Sequence, residues 1–495
     1  MNTRYRRHLT LAGSVLGAMI VALDGTVLTV AQPELRHDLH ASMAQVQWTS
    51  TGYLIAVASL LVFAGRLGDR YGHPRVFAAG ALGFGASSAG IALASGIGWV
   101  IGLRITQGIF GALLQPATLG MLRAAFPPDR LGMPIALRTS AIGVAAAAGP
   151  VLGGALVTGL GWRSVFLLNV VPAIALTALA LALRTPAPRR TPGSRLDLPG
   201  GGLLALALVC LVHALVALPE HGWTAVTAGS CLGAAAAGGA FVRHERRTAH
   251  PLVPPGVLGS PAVGFALGVL VCASASMFGA LFVGTYFLQD VLALDPLHSG
   301  LQALPLAVLM VLGAPVSALL LRRYGPRRTT VAAMALLALG ILLLSRLDRS
   351  SGPVAVGAGF LAVGAGFGAV MTTATSVVVR GAATRDAGVA GGLQQTAMNI
   401  GPTLGVALAT ALLTLTASEA PSGGAHSGGR HWSGTVLLSA MGPTLTALAA
   451  TALLGALLAT RLPGGTPDPA AAPGDSVAAG DRRCRNDQRF HTEGG

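Results

Sequence analysis

Long apolar runs separated by short polar turns make up most of this chain. A helix needs about 20 mostly apolar residues to cross a bilayer. Fourteen stretches meet that length: 10–31, 46–65, 76–96, 98–122, 133–158, 164–184, 199–218, 224–242, 262–288, 299–321, 329–346, 353–379, 387–416 and 433–460. Those starting at 199 and 224 are diluted by Gly and Ala. Between the second and third stretches lies a charged, glycine-rich turn, Gly65-Arg66-Leu67-Gly68-Asp69-Arg70-Tyr71-Gly72-His73-Pro74-Arg75. A weaker copy, Ala318 to Arg328, joins the tenth and eleventh: Arg-Tyr-Gly recurs and Arg75 aligns with Arg328, but Arg322 stands where Asp69 does. A duplicated basic turn between membrane-length helices predicts two related helical halves. Two plain six-helix halves would place the copies six helices apart; they lie eight apart, so two helices are inserted between the halves.

The predicted architecture is an all-α polytopic membrane protein of fourteen crossings. It divides into a six-helix N-terminal half (1–184), a linker with two extra helices (185–250), a six-helix C-terminal half (251–460) and a cytoplasmic tail (461–495). The tail is rich in Pro, Gly, Ala and Asp and then turns polar and basic, so it is expected to be disordered. The loop at 418–431, with five Pro or Gly residues, is expected to be flexible.

Composition narrows the function. Hydrophobic residues make up 53% and charged residues 10%, against about a quarter charged in soluble chains, which excludes a soluble multidomain protein. The net charge is +15 with no lysine, but the arginines are scattered between apolar runs. Without a basic face carrying interleaved aromatics, no nucleic-acid partner is expected. Arginines crowd alternate loops, which puts both termini in the cytoplasm. Trp48, Trp99, Trp162, Trp223 and Trp432 fall at the opposite ends, where indole rings favour the membrane interface. Abundant Ala, Gly and Arg suggest a GC-rich bacterial genome and hence a multi-pass protein of the bacterial inner membrane, read as a monomer. The first apolar run is too long for a signal peptide core and contains Asp24, so it is read as a retained helix. Cys210, Cys231, Cys272 and Cys484 have no metal-ligand spacing, and neither a metal nor a cofactor is expected. No lysine exists to complete a P-loop, and neither H-E-x-x-H nor G-x-S-x-G occurs, so no enzymatic activity is expected.

Few polar residues interrupt the apolar runs. Asp24 is the sharpest, because a carboxyl group within a membrane helix costs at least a few kcal/mol and is a functional candidate by default. Burial disfavours its charged form, which suits a group that takes up and releases protons. Arg104 lies at a similar depth on an antiparallel helix, each roughly 9 Å from the same membrane face at 1.5 Å per residue. The two can pair. Gly149, Pro150, Gly153 and Gly154 combine a helix kink with close helix approach. Gln107, Tyr286, Gln289, Gln394 and Asn399 are polar residues available to line a substrate cavity.

Several of these stretches resemble motifs of one transporter superfamily. The 65–75 turn is similar to the major facilitator loop signature G-x-L-x-D-R-x-G-R-[KR]-[RK], with His73 and Pro74 departing from its basic end. Leu23 to Pro33 resembles the first-helix motif L-D-x-T-[VI]-V-N-V-A-L-P of fourteen-helix drug:proton antiporters, with Thr29 and Gln32 among its departures. Arg104-x-x-Gln107-Gly108 resembles R-x-x-Q-G of the fourth helix, and Gly149 to Gly154 the antiporter motif G-P-x-x-G-G. Trp162, Arg163, Phe166 and Asn169 are similar to W-R-x-x-F-x-x-N-x-P, whose Pro falls one residue later here, at Pro172.

The resemblance, to the drug:proton antiporter-2 family over nearly the whole chain, implies a proton-coupled antiporter. It would export hydrophobic or cationic drugs or antibiotics by alternating access, with the small-molecule substrate, protons and the lipid bilayer as its partners. Asp24 and Arg104 would carry proton coupling. Gly65, Asp69, Arg70 and Gly72 would form a conformational latch on the inner face. Two other readings stay open: a facilitator-type symporter or uptake carrier for a small metabolite, and a membrane-embedded sensor or enzyme. The buried acid and the Gly149–Gly154 segment disfavour the first, and the missing catalytic motifs disfavour the second.

Overall fold

A computed structural model of the chain describes residues 3–183, 196–222, 224–248, 251–254, 257, 259–294, 296–418 and 434–464. The tail beyond 464, most of the 418–431 loop, Trp223 and Trp432 lie outside the described residues.

Helices account for nearly all of the described chain: α1 (Thr3–Asp38), α2 (Met43–Tyr71), α3 (His73–Ala92), α4 (Ile97–Ala125), α5 (Gly132–Leu160), α6 (Arg163–Leu167), α7 (Val170–Ala182), α8 (Leu198–His221), α9 (Ala225–Glu245), α10 (Pro261–Tyr286), α11 (Pro296–Leu344), α12 (Pro353–Gly381), α13 (Ala387–Ser418) and α14 (Gly434–Ala459). Labels and crossings do not correspond one to one. α6 and α7 are one crossing broken by a turn at Leu168 and Asn169. α11 is two crossings merged across Gly325, whose φ of 76° and ψ of 170° are not helical. Each of the fourteen predicted stretches is therefore helical over most of its described residues, and α1 continues past its predicted end at 31, to Asp38.

Local chemistry sets several boundaries. Ser42 accepts a hydrogen bond from the Gln45 backbone N–H while the Gln45 side chain accepts from the Ser42 N–H, a reciprocal cap that starts α2. Gly72, at φ 93°, ends α2 in a conformation that disfavours a Cβ, and Pro74 opens α3. The duplicated turn is visible in three dimensions. Arg70 lies 5.6 Å from the Tyr71 ring centroid and Arg323 5.4 Å from that of Tyr324, each pair followed by a positive-φ glycine.

α1 to α7 pack as one body and α10 to α14 as another, while α8 pairs with α9 and touches α2 and α13. Large apolar side chains such as Val171, Leu232 and Val354 point outward, as lipid-facing positions require. Trp48 and Trp99 are exposed as expected of interface anchors, but Trp162 is not: it is 1% exposed. Its Nε1 donates to Asp38 Oδ2 at 2.9 Å and its ring meets Phe166 edge-on. The indole closes the loop between α5 and α6 instead of sitting in the headgroup layer.

Candidate functional site

Two sites emerge, one inside the first body and one between the two bodies. The first is built on Asp24, which is 2% exposed at mid-length in α1. Arg104 Nη1 donates to Asp24 Oδ2 at 2.7 Å. Gln107 Nε2 and Asn169 Nδ2 both donate to Asp24 Oδ1, at 3.1 and 2.7 Å. All three partners are donors, which is the environment of an ionised carboxylate. Burying an ion pair is costly unless the remaining donors and acceptors are satisfied, and here they largely are. Arg104 Nε donates to the Thr49 carbonyl at 3.1 Å, Arg104 Nη1 also to Gln107 Oε1 at 2.5 Å, and Gln107 Nε2 also to Ser88 Oγ at 2.7 Å. The guanidinium carbon lies 4.3 Å from the centre of the Tyr53 ring, within cation–π range. Five crossings thus converge on one carboxylate.

Helix periodicity explains the arrangement. Arg104 and Gln107 are three residues apart, so they share one face of α4. Asn169 sits in the break between α6 and α7, where the chain leaves helical register and its side chain can turn inward. Close packing brings the helices together: a Cβ on Gly108 would lie 2.7 Å from the Tyr53 carbonyl oxygen.

The second site joins the bodies. Asp69 Oδ1 accepts from the Gly388 N–H at 2.7 Å and Oδ2 from the Val389 N–H at 3.0 Å, at the first turn of α13. These are among the otherwise unpaired donors of a helix start, where the dipole favours an anion. His73 Nε2 lies 3.3 Å from Asp69 Oδ1. Asp386, adjacent to that turn and a possible competitor by charge, pairs with Arg66 at 3.4 Å and with Arg385 at 3.4 Å, so it reinforces the contact. Gly65 makes the approach possible, because a Cβ there would lie 2.1 Å from the Gly388 carbonyl oxygen. Nearby, Gln395 Nε2 donates to Gln115 Oε1, and Ser140 Oγ donates to the Val311 carbonyl at 2.5 Å. Among the described residues, hydrogen bonds, ion pairs and glycine close approaches between the two bodies lie in the half of the molecule nearer the face that carries the N-terminus. The seam is shut on that side. A cavity of about 580 Å³ opens on the same face, lined by Arg6, Arg7, Asp69, His73 and Arg385 among others.

The remaining candidates are dispersed. Gly149 and Gly153 pack against α1, where a Cβ would lie 2.0 Å from Thr26 Oγ1 and 3.1 Å from Val27 Cγ1 respectively; Gly154 faces open space. Pro150 continues the same helix. Gln107 lines no open cavity, since it is fully buried in the Asp24 cluster. Gln394 is buried with Nε2 bonded to Thr375 Oγ1, and Asn399 Nδ2 bonds to the Gln395 carbonyl one turn back. Tyr286 is half-buried against Phe282, and Gln289 is exposed in a π-helical turn, Phe287–Val291. Ser88, Tyr53 and Thr49 carry no sequence signal for the Asp24 cluster. Asn169 does carry one, through its place in the W-R-x-x-F-x-x-N-x-P stretch.

The Major Facilitator Superfamily profile matches residues 14–406. The chain is 39% identical over 411 residues to the tetracenomycin C resistance and export protein of Streptomyces glaucescens, covering 83% of this chain and 76% of that protein. It is 34% identical over 424 residues to a puromycin resistance protein of Streptomyces alboniger, covering 83% and 82%. It is 30% identical over 408 residues to a multidrug resistance protein of Mycobacterium tuberculosis, covering 82% and 75%. Among solved structures, the human organic anion transporter MFSD10 shares the fold with a TM-score of 0.63 at 16% identity, covering 92% of this chain and 99% of that one. With its duplicated turn, its two helical bodies and these relatives, the chain belongs to the Major Facilitator Superfamily.

Proposed function

We propose that this protein is a proton-coupled antiporter that exports a hydrophobic drug or antibiotic by alternating access. The observation that carries the reading is the Asp24–Arg104 pair, a titratable acid buried in a membrane-length helix. In the ionised state Asp24 holds Arg104, Gln107 and Asn169 together. Protonation would remove the charge that Arg104 faces, while the Thr49 carbonyl, Gln107 Oε1 and the Tyr53 ring keep the guanidinium in place. The contacts from α1 to α4 and to Asn169 would loosen, which offers a way to couple one proton to a helix movement. The relatives' resistance and export roles support the outward direction of the cargo.

The second site supports alternating access. With the N-terminal face in the cytoplasm, the latch at Asp69 closes the inner side, and the conformation described here faces outward. The domain division at 184, 250 and 460 is part of the same proposal, with α8 and α9 as the inserted pair. The protein acts in the bacterial inner membrane, as a monomer, without a cofactor.

Everted membrane vesicles provide the direct test. A proton gradient should drive uptake of a hydrophobic dye, and a protonophore should abolish it; uptake that ignores the gradient would end the antiport reading. Orientation has a separate check in a cysteine-free background. Asp129→Cys and Ser350→Cys, both at exposed loop positions, should label from the cytoplasmic and outer sides respectively. Labelling of both from one side would overturn the fourteen-crossing topology.

A further inference from the structure

Among the described residues two arginines are buried, Arg104 at 1% and Arg138 at 2% exposure. Arg104 has a carboxylate partner. Arg138 has none among the described residues. Its Nε donates to Thr118 Oγ1 at 3.2 Å, and no described residue accepts from its two Nη groups. The Thr118 hydroxyl is itself committed as a donor to the Gln115 carbonyl at 2.7 Å. One neutral hydroxyl is poor compensation for a cation in a membrane interior, where an uncompensated charge costs several kcal/mol. A static structural arginine would be expected to have a carboxylate or a set of carbonyl acceptors.

Its location points to a purpose. Arg138 lies six residues into α5, roughly 9 Å in from the N-terminal face at 1.5 Å per residue. Its neighbours along the helix form the seal between the bodies: Ala136 clusters with Ala314 and Ala318 of α11, and Ser140 bonds to the Val311 carbonyl. On α4, Thr118 lies one turn from Gln115, which meets Gln395 across the same seam. Parting the bodies on this side would uncover a largely apolar wall with the Arg138 guanidinium beside it. The planar fork of that group matches a carboxylate with two parallel hydrogen bonds.

We propose that Arg138 is the counter-charge for an acidic group on the cargo, so that the exported class is apolar organic acids rather than cations. The proposal rests on the export reading above and names its substrate class. The fixed positive charge at the loading side repels a cationic cargo, and in this conformation the oxygens of Asp24 are taken by three donors.

Matched pairs of hydrophobic carboxylic acids and their methyl esters isolate the charge. Equilibrium binding of each pair would be measured at neutral pH on the purified full-length protein in lipid nanodiscs. The wild type should bind acids about 10- to 100-fold more tightly than their esters, the range of one or two hydrogen bonds to a charged group. Arg138→Met should erase that ratio and leave ester affinity within about twofold, and Arg138→Lys should retain part of it. The thermal midpoint of Arg138→Met should be no lower than that of the wild type, since an uncompensated charge is removed. The proposal is overturned if no acid in the panel outbinds its ester. It is equally overturned if the ratio survives Arg138→Met, or if that variant loses stability and weakens acid and ester alike. An acid preference in a protein that shows no gradient-driven transport would count against the export reading and leave this assignment standing.

Discussion

Asp24→Asn is expected to abolish proton-driven export while leaving a folded protein in the membrane. Asparagine keeps the shape and an oxygen to accept from Gln107 and Asn169, so the packing among α1, α4 and the α6–α7 break has no reason to collapse. The charge and the titratable proton are lost. Breaking a buried pair by removing one partner typically costs about 3–5 kcal/mol because the other charge is left uncompensated. Here Arg104 retains the Thr49 carbonyl, Gln107 Oε1 and the Tyr53 ring, so the loss should fall at or below the lower end of that range. The measurement is gradient-driven dye uptake in everted vesicles, alongside the thermal midpoint of the purified variant. Undiminished uptake would remove Asp24 from the coupling mechanism.

Gly65→Val is expected to be nearly as severe by a different route. The added Cβ would lie 2.1 Å from the Gly388 carbonyl oxygen and 2.5 Å from its carbon. Both atoms are backbone, so no change of rotamer relieves the overlap, and the closed seam must part. Opening costs Asp69 its two N–H donors in α13 as well as the glycine contact. Asp69→Asn removes only the charge–dipole component, worth about 0.3–1 kcal/mol when exposed and up to about 2 when partly buried. The milder variant should shift the conformational balance several-fold, whereas Gly65→Val should cost about a hundredfold or more in turnover. A cysteine introduced at Ser140 reports the seam. Its accessibility to a cytoplasmic reagent should rise slightly in Asp69→Asn and strongly in Gly65→Val. If accessibility stays at the wild-type level in both while export falls, the turn serves some step other than closure.

Much of this was legible in the chain itself. Hydropathy located the membrane-length helices, and the offset between the two basic turns predicts an inserted pair between the halves. The match in depth between Asp24 and Arg104 follows from helix rise alone. The rest of that cluster is not a property of one helix. Tyr53, Ser88 and Thr49 reach it because α2 and α3 pack at a particular rotation against α4, and rotation is set by glycine contacts that a hydropathy pattern does not encode. Gln107 illustrates the ambiguity of uncharged polar residues, which suit a cavity wall and a buried hydrogen-bond network equally well. Trp162 illustrates another: an indole near a helix end can anchor at the interface or, as here, turn inward to Asp38. Arg138 offers no signal of its own, since no acid stands at its depth to mark it as one of a pair.

The second copy of the basic turn serves as a control already present in the molecule. At Arg323-Tyr324-Gly325 the arginine still lies over the tyrosine and the glycine still takes a positive φ, although an exposed Arg322 replaces the acid. The bend therefore assembles without a carboxylate, and Asp69 is dispensable for making it. Whatever Asp69→Asn does to transport can then be ascribed to the acid's contacts with α13 and His73 and not to the bend itself, because the duplicate has separated the two requirements: glycine and tyrosine shape the corner, and the acid fastens it.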